Sequence, residues 1–273
     1  MRSGEETASL ILAAGRGSRM KGFTGNKTLM PLLPDTSPYE GTHPILLQIV
    51  DSLPSGPKAV VVNHRKQDII KATPGLGLTY CDQPRLNGTG GALLSARPFL
   101  EGLGSARLII TMGDVPFVKR ETYMKLVDSL NEKSLVVLGF RPESKKQYGV
   151  LEIEGEEVRK IIEWEYWRKY PEERRKNLRV CNSGIYAARK DDLLRCLPVL
   201  ASRPHRVEKW IHGKAIDVEE YFITDLVEYM VEEGLQVGYI IAEDENEVMG
   251  IDDLNALLRA QEIFRGPAKT CPA

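Results

Sequence analysis

A chain of 273 residues, 42% apolar and 27% charged, can bury a sizeable core and has the composition of a globular protein. Its formal net charge of −1 provides no global field for nucleic acid, so any anion must be bound by a local cluster. The four cysteines, Cys81, Cys181, Cys196 and Cys271, lack metal-ligand spacing and are expected to be reduced packing residues. The opening MRSGEETA does not read as a signal peptide, and no apolar run reaches membrane-spanning length. A cytoplasmic protein without membrane or nucleic-acid partners is expected.

The first element is the apolar run Leu10-Ile11-Leu12-Ala13-Ala14. It opens into Gly15-Arg16-Gly17-Ser18-Arg19-Met20, with Lys27 shortly after. A buried strand ending in a glycine-rich cationic loop suits a polyphosphate, because backbone N–H groups can approach its oxygens and cations can neutralise it. The spacing is neither that of a P-loop nor of a dinucleotide fingerprint, since Met20 stands where a third glycine would be. Further strand candidates are Ala59–Val62, Leu78–Cys81, Leu108–Thr111 and Leu135–Gly139. Amphipathic segments at Pro44–Leu53, Gly91–Leu100 and Arg120–Leu130 intervene. This βαβ rhythm predicts an α/β protein with a mostly parallel central sheet and helices on both faces. The glycine-rich loop, Asp82-Gln83 and Gly113-Asp114 each follow a strand candidate, so they should gather at the carboxyl edge.

Pro34–Pro44 reads as a polar loop. Gly149–Glu156 and Val158–Trp164 read as a hairpin, followed by a solvated charged segment at Pro171–Asn177. The aromatic group Trp164, Tyr166, Trp167 and Tyr170 is read as packing of that hairpin in preference to a pocket lining. A strand opens at Asn182–Tyr186, helices are expected at Ile223–Glu233 and Asp253–Phe264, and Val237–Ala242 forms a strand between them. Asp252 fits a cap or first-turn position of the last helix, and the four histidines are scattered and receive no role. The Gln83 amide carries both donor and acceptor and could pair with a base edge or serve its own loop. Asp114, in Gly113-Asp114-Val115-Pro116, is a hard oxygen ligand suited to Mg²⁺, and Gly250-Ile251-Asp252-Asp253 is a second carboxylate source.

In this order the segments resemble the sugar-1-phosphate nucleotidyltransferases, or nucleotide-sugar pyrophosphorylases. The nearest pattern is the uridylyltransferase domain of the bacterial N-acetylglucosamine-1-phosphate enzymes. The resemblance runs from Leu10 to about Phe264. It rests on Leu12 to Met20 with Lys27, on Gln83, Gly88, Thr89 and Ala92, on Gly113 to Pro116 and on Tyr148-Gly149. It continues through Ile161 to Glu163, Asn182 to Tyr186, Glu220 to Asp225 and Val248 to Asp252. It implies a Rossmann-like three-layer nucleotidyltransferase fold with a β-hairpin lobe over the substrate site. One domain would span 1–265, with a nucleotide-binding part at about 8–140 and a sugar-binding part at about 141–265. The tail 266–273 is expected to be disordered.

The resemblance further implies that Leu12, Ala13, Ala14, Gly15, Gly17, Gln83, Gly88, Thr89 and Gly113 hold the nucleotide. Arg19, Lys27 and Asp114 would be catalytic, the two cations gripping the β- and γ-phosphates. Asp114 and Asp252 would bind Mg²⁺, and Gly149, Glu163 and Asn182 would contact the sugar. The implied substrates are an NTP, with a lean towards UTP, and a sugar 1-phosphate. The product would be a nucleotide sugar of the kind used for cell-envelope polysaccharide. Several positions depart from the family pattern: Asn26 replaces a proline, Asn87 a leucine, Val150 an arginine, Glu165 a lysine and Asp252 an asparagine. The hexapeptide-repeat acetyltransferase domain of bifunctional relatives is absent from the sequence, so acetyl transfer is not expected. Alternatives are a cytidylyl- or guanylyltransferase for another phosphorylated small molecule, or a catalytically silent sensor of nucleotide sugars. A Rossmann dehydrogenase fits poorly, since Asn63 and His64 stand where an acidic ribose ligand would be.

Overall fold

The computed structural model describes residues 6–17, 20, 23–211 and 214–266. Its strands are β1 (Thr7–Leu12), β2 (Pro31–Pro34), β3 (Gly41–Pro44), β4 (Lys58–Val62), β5 (Leu78–Asp82), β6 (Arg107–Met112) and β7 (Leu135–Phe140). They continue with β8 (Val150–Glu154), β9 (Glu157–Ile162), β10 (Cys181–Arg189), β11 (His205–Ile211), β12 (Lys214–Glu220) and β13 (Val237–Ile241). The α-helices are α1 (Ile45–Ser52), α2 (Lys66–Ala72), α3 (Gly88–Ser95), α4 (Arg97–Glu101), α5 (Arg120–Asp128), α6 (Trp164–Trp167), α7 (Glu172–Asn177), α8 (Lys190–Ser202), α9 (Asp225–Glu232) and α10 (Leu254–Arg265).

A nine-stranded sheet runs β13-β7-β10-β6-β1-β4-β5, with β8 and β9 attached through β10. Within that path β13–β7, β6–β1, β1–β4 and β4–β5 are parallel, and β10 alone runs antiparallel to both its neighbours. The central strands are continuous apolar runs because both faces are covered. The period of two then divides each strand between two cores. Ile11, Val60, Ile109 and Val136 face Ile49 of α1, Tyr123 of α5 and Leu257 of α10. Leu10, Val61, Ile110 and Val137 face Leu93 of α3, Leu197 of α8 and Met230 of α9. The expected three-layer α/β architecture is therefore present.

The parallel strands deliver their loops to one edge. The Ala13 N–H donates to Val61 O at 3.0 Å, Gln83 N–H to Val62 O at 2.9 Å and Gly113 N–H to Leu12 O at 2.9 Å. The hairpin β8–β9 is antiparallel and joins the sheet where Val150 pairs with Cys181. An irregularity in β10 falls between Asn182, which pairs with Gly139, and Tyr186, which pairs with Val137. Gly184 supplies the left-handed conformation needed there, with φ +80°, and the Asn182 Oδ1 accepts the Gly184 N–H at 3.1 Å.

Some elements differ from the sequence reading. The expected helix over 91–100 is two helices, broken at Ala96 because Pro98 begins a new helix more readily than it continues one. Pro34–Pro44 is a ribbon end, in which Pro34 pairs with Gly41 and Pro31 with Pro44. The ribbon β11–β12 was not anticipated, nor were α2 and α8. Trp167 is buried, as packing requires, whereas Tyr166 is exposed. The ring faces of Trp164, Trp167 and Tyr170 are covered by Arg168, Lys145 and Arg174 respectively. α7 buries none of its residues. From 267 onward the expected tail lies outside the described residues.

Leu108 is fully buried between β1 and β10 in the α3–α8–α9 core. Leu108→Ala should lower unfolding free energy by about 2–5 kcal/mol, measured by denaturant titration at unchanged slope.

Candidate active site

Lys27 opens a short 3-10 turn, Lys27–Leu29, behind the glycine-rich loop. Gly17 has φ +64°, and a Cβ there would lie 3.1 Å from Lys27 Cβ, so the loop can pass this closely only as glycine. The Lys27 Nζ lies 2.5 Å from Asp114 Oδ2 and 3.3 Å from Asp252 Oδ1. The Lys27 and Asp114 side chains are 12% and 18% exposed, whereas Asp252 is 52% exposed. The Asp114 interaction is therefore the better shielded of the two. Burial disfavours the ammonium, but the charges and hydrogen bonds of Asp114 and Asp252 outweigh it and raise the Lys27 pKa above its usual value. Asp114 follows β6, and its carbonyl accepts the Ile251 N–H at 2.9 Å, which brings Asp252 across from the distant end of the chain. Asp252 does not cap the last helix. Asp253 does, its Oδ1 accepting the Ala256 N–H at 2.9 Å, which leaves Asp252 to turn towards Lys27.

Gln83, at the end of β5, is buried. Its Nε2 donates to Asn87 Oδ1 at 3.0 Å and to Gly88 O at 3.1 Å, so the amide donor serves its own loop. Gly88 has φ +90°, and a Cβ there would fall 2.3 Å from Tyr221 O. Tyr221 is locked onto this loop through Gly90 N–H to Tyr221 O at 2.7 Å and Tyr221 N–H to Asn87 O at 2.8 Å. Thr89 Oγ1 accepts the Ile223 N–H at 3.2 Å.

The third cluster lies on the hairpin side. Asn182 N–H donates to Gly149 O at 2.8 Å, and a Cβ on Gly149 would lie 3.4 Å from Glu163 Oε2. Gly149, Glu163 and Asn182 therefore do converge. Burial raises the Glu163 carboxyl pKa, and Asp225 adds to the effect, while a hydrogen bond from Thr224 Oγ1 at 2.8 Å opposes it. The Asn182 Nδ2 donates to Tyr186 OH at 2.9 Å.

Arg19 lies outside the described residues. The sequence reading quoted Thr224 and Tyr148 within motifs without giving either a role. Thr224 grips Glu163, and Trp167 Nε1 donates to Tyr148 O at 2.8 Å, anchoring the residue before Gly149. The Tyr148 phenol is pushed up first by burial and then by the charges of Asp252 and Asp114. Among the described residues no group of three or more His, Cys, Asp or Glu side chains converges as a metal site. Two hard carboxylates that share one ammonium still suit Mg²⁺, which is commonly held by one or two carboxylates and completes its shell with water and substrate phosphates. Among the described residues no helix is long and apolar enough to cross a membrane.

Comparison with known proteins places the chain in a family. Residues 9–201 match the MobA-like NTP transferase domain. The chain is 30% identical over 260 residues to the bifunctional protein GlmU of Novosphingobium aromaticivorans, covering 93% of this chain and 52% of that protein. It is 31% identical over 270 residues to GlmU of Cereibacter sphaeroides, covering 96% and 53%. The chain thus spans about half the length of the curated relatives it matches. The solved nucleoside-diphosphate-sugar pyrophosphorylase of Vibrio cholerae RC9 shares the fold, with a TM-score of 0.66 at 16% identity over 92% of this chain and 99% of that one. With residues 9–201, well over half of the chain, matched by that model, the chain belongs to the MobA-like NTP transferase family.

Proposed function

We propose that this protein transfers a nucleotidyl group from an NTP, with UTP the expected donor, to a sugar 1-phosphate, releasing pyrophosphate. The observation that carries the reading is the meeting of Lys27, Asp114 and Asp252 at the carboxyl edge of the parallel sheet, beside the glycine-rich loop. In open α/β sheets that edge is where ligands bind.

The reaction needs little covalent chemistry from the protein. The sugar 1-phosphate oxygen, already anionic, attacks the α-phosphorus; the bond to the β-phosphate bridging oxygen breaks and pyrophosphate leaves. No general base is required, so catalysis is positioning and charge stabilisation. In this reading Lys27 and Arg19 are catalytic, and they would neutralise the leaving pyrophosphate. The backbone of Leu12, Ala13, Ala14, Gly15, Gly17 and Gly113, with Gln83, Gly88 and Thr89, would hold the nucleotide. Gly149, Glu163 and Asn182 would orient the acceptor sugar by hydrogen bonds. Asp114 and Asp252 would hold Mg²⁺. When bound, the metal supplies charge that offsets the repulsion between the two anionic substrates.

Two results are expected. Purified protein with Mg²⁺ should release pyrophosphate from one NTP paired with one member of a panel of sugar and polyol 1-phosphates. In Asp114→Asn, kcat should fall by about a hundredfold or more with a smaller change in KM. Equal kcat with raised KM would contradict the role of Asp114. Tight binding of a nucleotide sugar without turnover would point instead to a sensor.

Glu163 gives a further prediction. Its folded-state pKa is raised, so the folded protein binds a proton more tightly than the unfolded chain. The charged carboxylate therefore destabilises the fold increasingly as pH rises from the ordinary carboxyl range through the raised value. Glu163→Gln should match wild-type melting temperature at pH 4 and equal or exceed it at pH 8. It should also weaken sugar 1-phosphate binding by about tenfold, since one charge-assisted hydrogen bond is lost. A variant less stable at pH 8 than at pH 4, relative to wild type, would contradict the assignment.

A further inference from the structure

Two asparagines without a role so far link the loops around the site. Asn26 is buried and makes three hydrogen bonds. Its Oδ1 accepts from Thr28 N–H at 3.0 Å and from Thr28 Oγ1 at 2.8 Å, which caps the turn that carries Lys27. Its Nδ2 donates to His64 O at 2.9 Å, in the loop that follows β4. Next to His64, Asn63 Nδ2 donates to Gln83 O at 2.6 Å. Gln83 in turn holds Asn87 and Gly88. The loop between the two asparagines is itself constrained, since Arg65 adopts φ +52°, a left-handed conformation unusual for a non-glycine residue.

A continuous line of side-chain-to-backbone bonds therefore runs from the Lys27 turn through Asn26, the 63–65 loop and Asn63 to the Gln83 loop. The two accepting carbonyls, His64 O and Gln83 O, lie within two residues of the ends of β4 and β5, so those strands limit their movement. Tying both loops to the end of β4 thus fixes one relative to the other more firmly than a side-chain–side-chain contact would. From this geometry we infer that Asn26 and Asn63 are positioning residues that set the spacing between phosphate and base recognition. Asn26 acts through Lys27 and Asn63 acts through Gln83. The inference rests on the proposed function, because it needs a triphosphate at Lys27 and a base at Gln83. It adds a division of labour that the motifs alone do not contain. Asn26 governs how well the polyphosphate is held whatever the base. Asn63 governs discrimination among bases whatever the phosphate.

The test is calorimetric binding of pyrophosphate and of UTP, CTP, GTP and ATP, all with Mg²⁺, to wild type, Asn26→Ala and Asn63→Ala, with melting temperatures alongside. Asn26→Ala should weaken pyrophosphate and every NTP by about the same factor, roughly tenfold as the Lys27 turn loses its side-chain cap and its tie to His64, with base preference unchanged. Asn63→Ala should leave pyrophosphate affinity unchanged and narrow the spread among the four NTPs by about fivefold. In a Lys27→Ala background Asn26→Ala should add no further loss, because residues acting through one another are not additive. Should Asn26→Ala not fold, Asn26→Ser, which keeps a short acceptor for Thr28 but cannot reach His64, replaces it. Equal loss of pyrophosphate affinity and base preference in both variants, or a fully additive Asn26/Lys27 pair, would overturn the inference. A wild-type protein that binds none of the five ligands would overturn the proposed function itself, and this inference with it.

Discussion

The ammonium of Lys27, largely buried and bound by two carboxylates, is the constraint around which this edge of the molecule is organised. A buried charge is costly unless paired, and Asp114 and Asp252 supply the pairing from positions far apart in sequence. The arrangement requires β1 beside β6, so that Gly113 can bond Leu12 and Asp114 can face Lys27. It also requires the chain to return at Ile251, where a single backbone bond to Asp114 brings in the second carboxylate. The clusters on either side depend on the same sheet: Gln83 directly follows β5, and Asn182 sits at the irregular start of β10.

The two flanking clusters are joined by the segment Tyr221 to Asp225. Tyr221 and Ile223 dock on the Gln83–Thr89 loop, while Thr224 reaches Glu163. Asp225 is held by His205 at 2.8 Å, and His205 lies against Phe222 with ring centroids 4.8 Å apart. One short segment thus bears on both the Gln83–Thr89 loop and the Glu163 cluster. That gives a physical reason for the close approach required of Gly88 and Gly90, where a side chain would run into the Tyr221 backbone.

Much of this was legible in the sequence, for reasons that can be named. The central strands are unbroken apolar runs, and strands buried on both faces leave that signature, so Leu10–Ala13 and Leu108–Thr111 were clear. The shared edge of the glycine-rich loop, Gln83 and Asp114 followed from the parallel βαβ rhythm, whereas the Lys27–Asp114 ion pair was not foreseen, because the motifs set one residue against phosphate and the other against metal. Where the reading failed, the local signal was weak or shared between two structures. The ribbon β11–β12 has short polar–apolar alternation broken by charges, and its pairing is visible only when both strands are present. Pro98 within an otherwise helical window could kink a helix or start one, and here it starts one. Asp252 and Asp253 are adjacent carboxylates, and periodicity cannot say which caps α10. Asn26 and Asn63 spend their amides on backbone carbonyls of other loops, an interaction with no sequence pattern.

The central claim is that the Lys27–Asp114–Asp252 cluster is where the triphosphate is received. The most direct measurement is a crystal structure with Mg²⁺ and a non-hydrolysable UTP analogue. The account predicts the β- and γ-phosphates within hydrogen-bond distance of Lys27 Nζ, the metal on Asp114 and Asp252, and the base against the Gln83–Thr89 loop. A nucleotide bound elsewhere, with Lys27 still bridging both carboxylates, would contradict it.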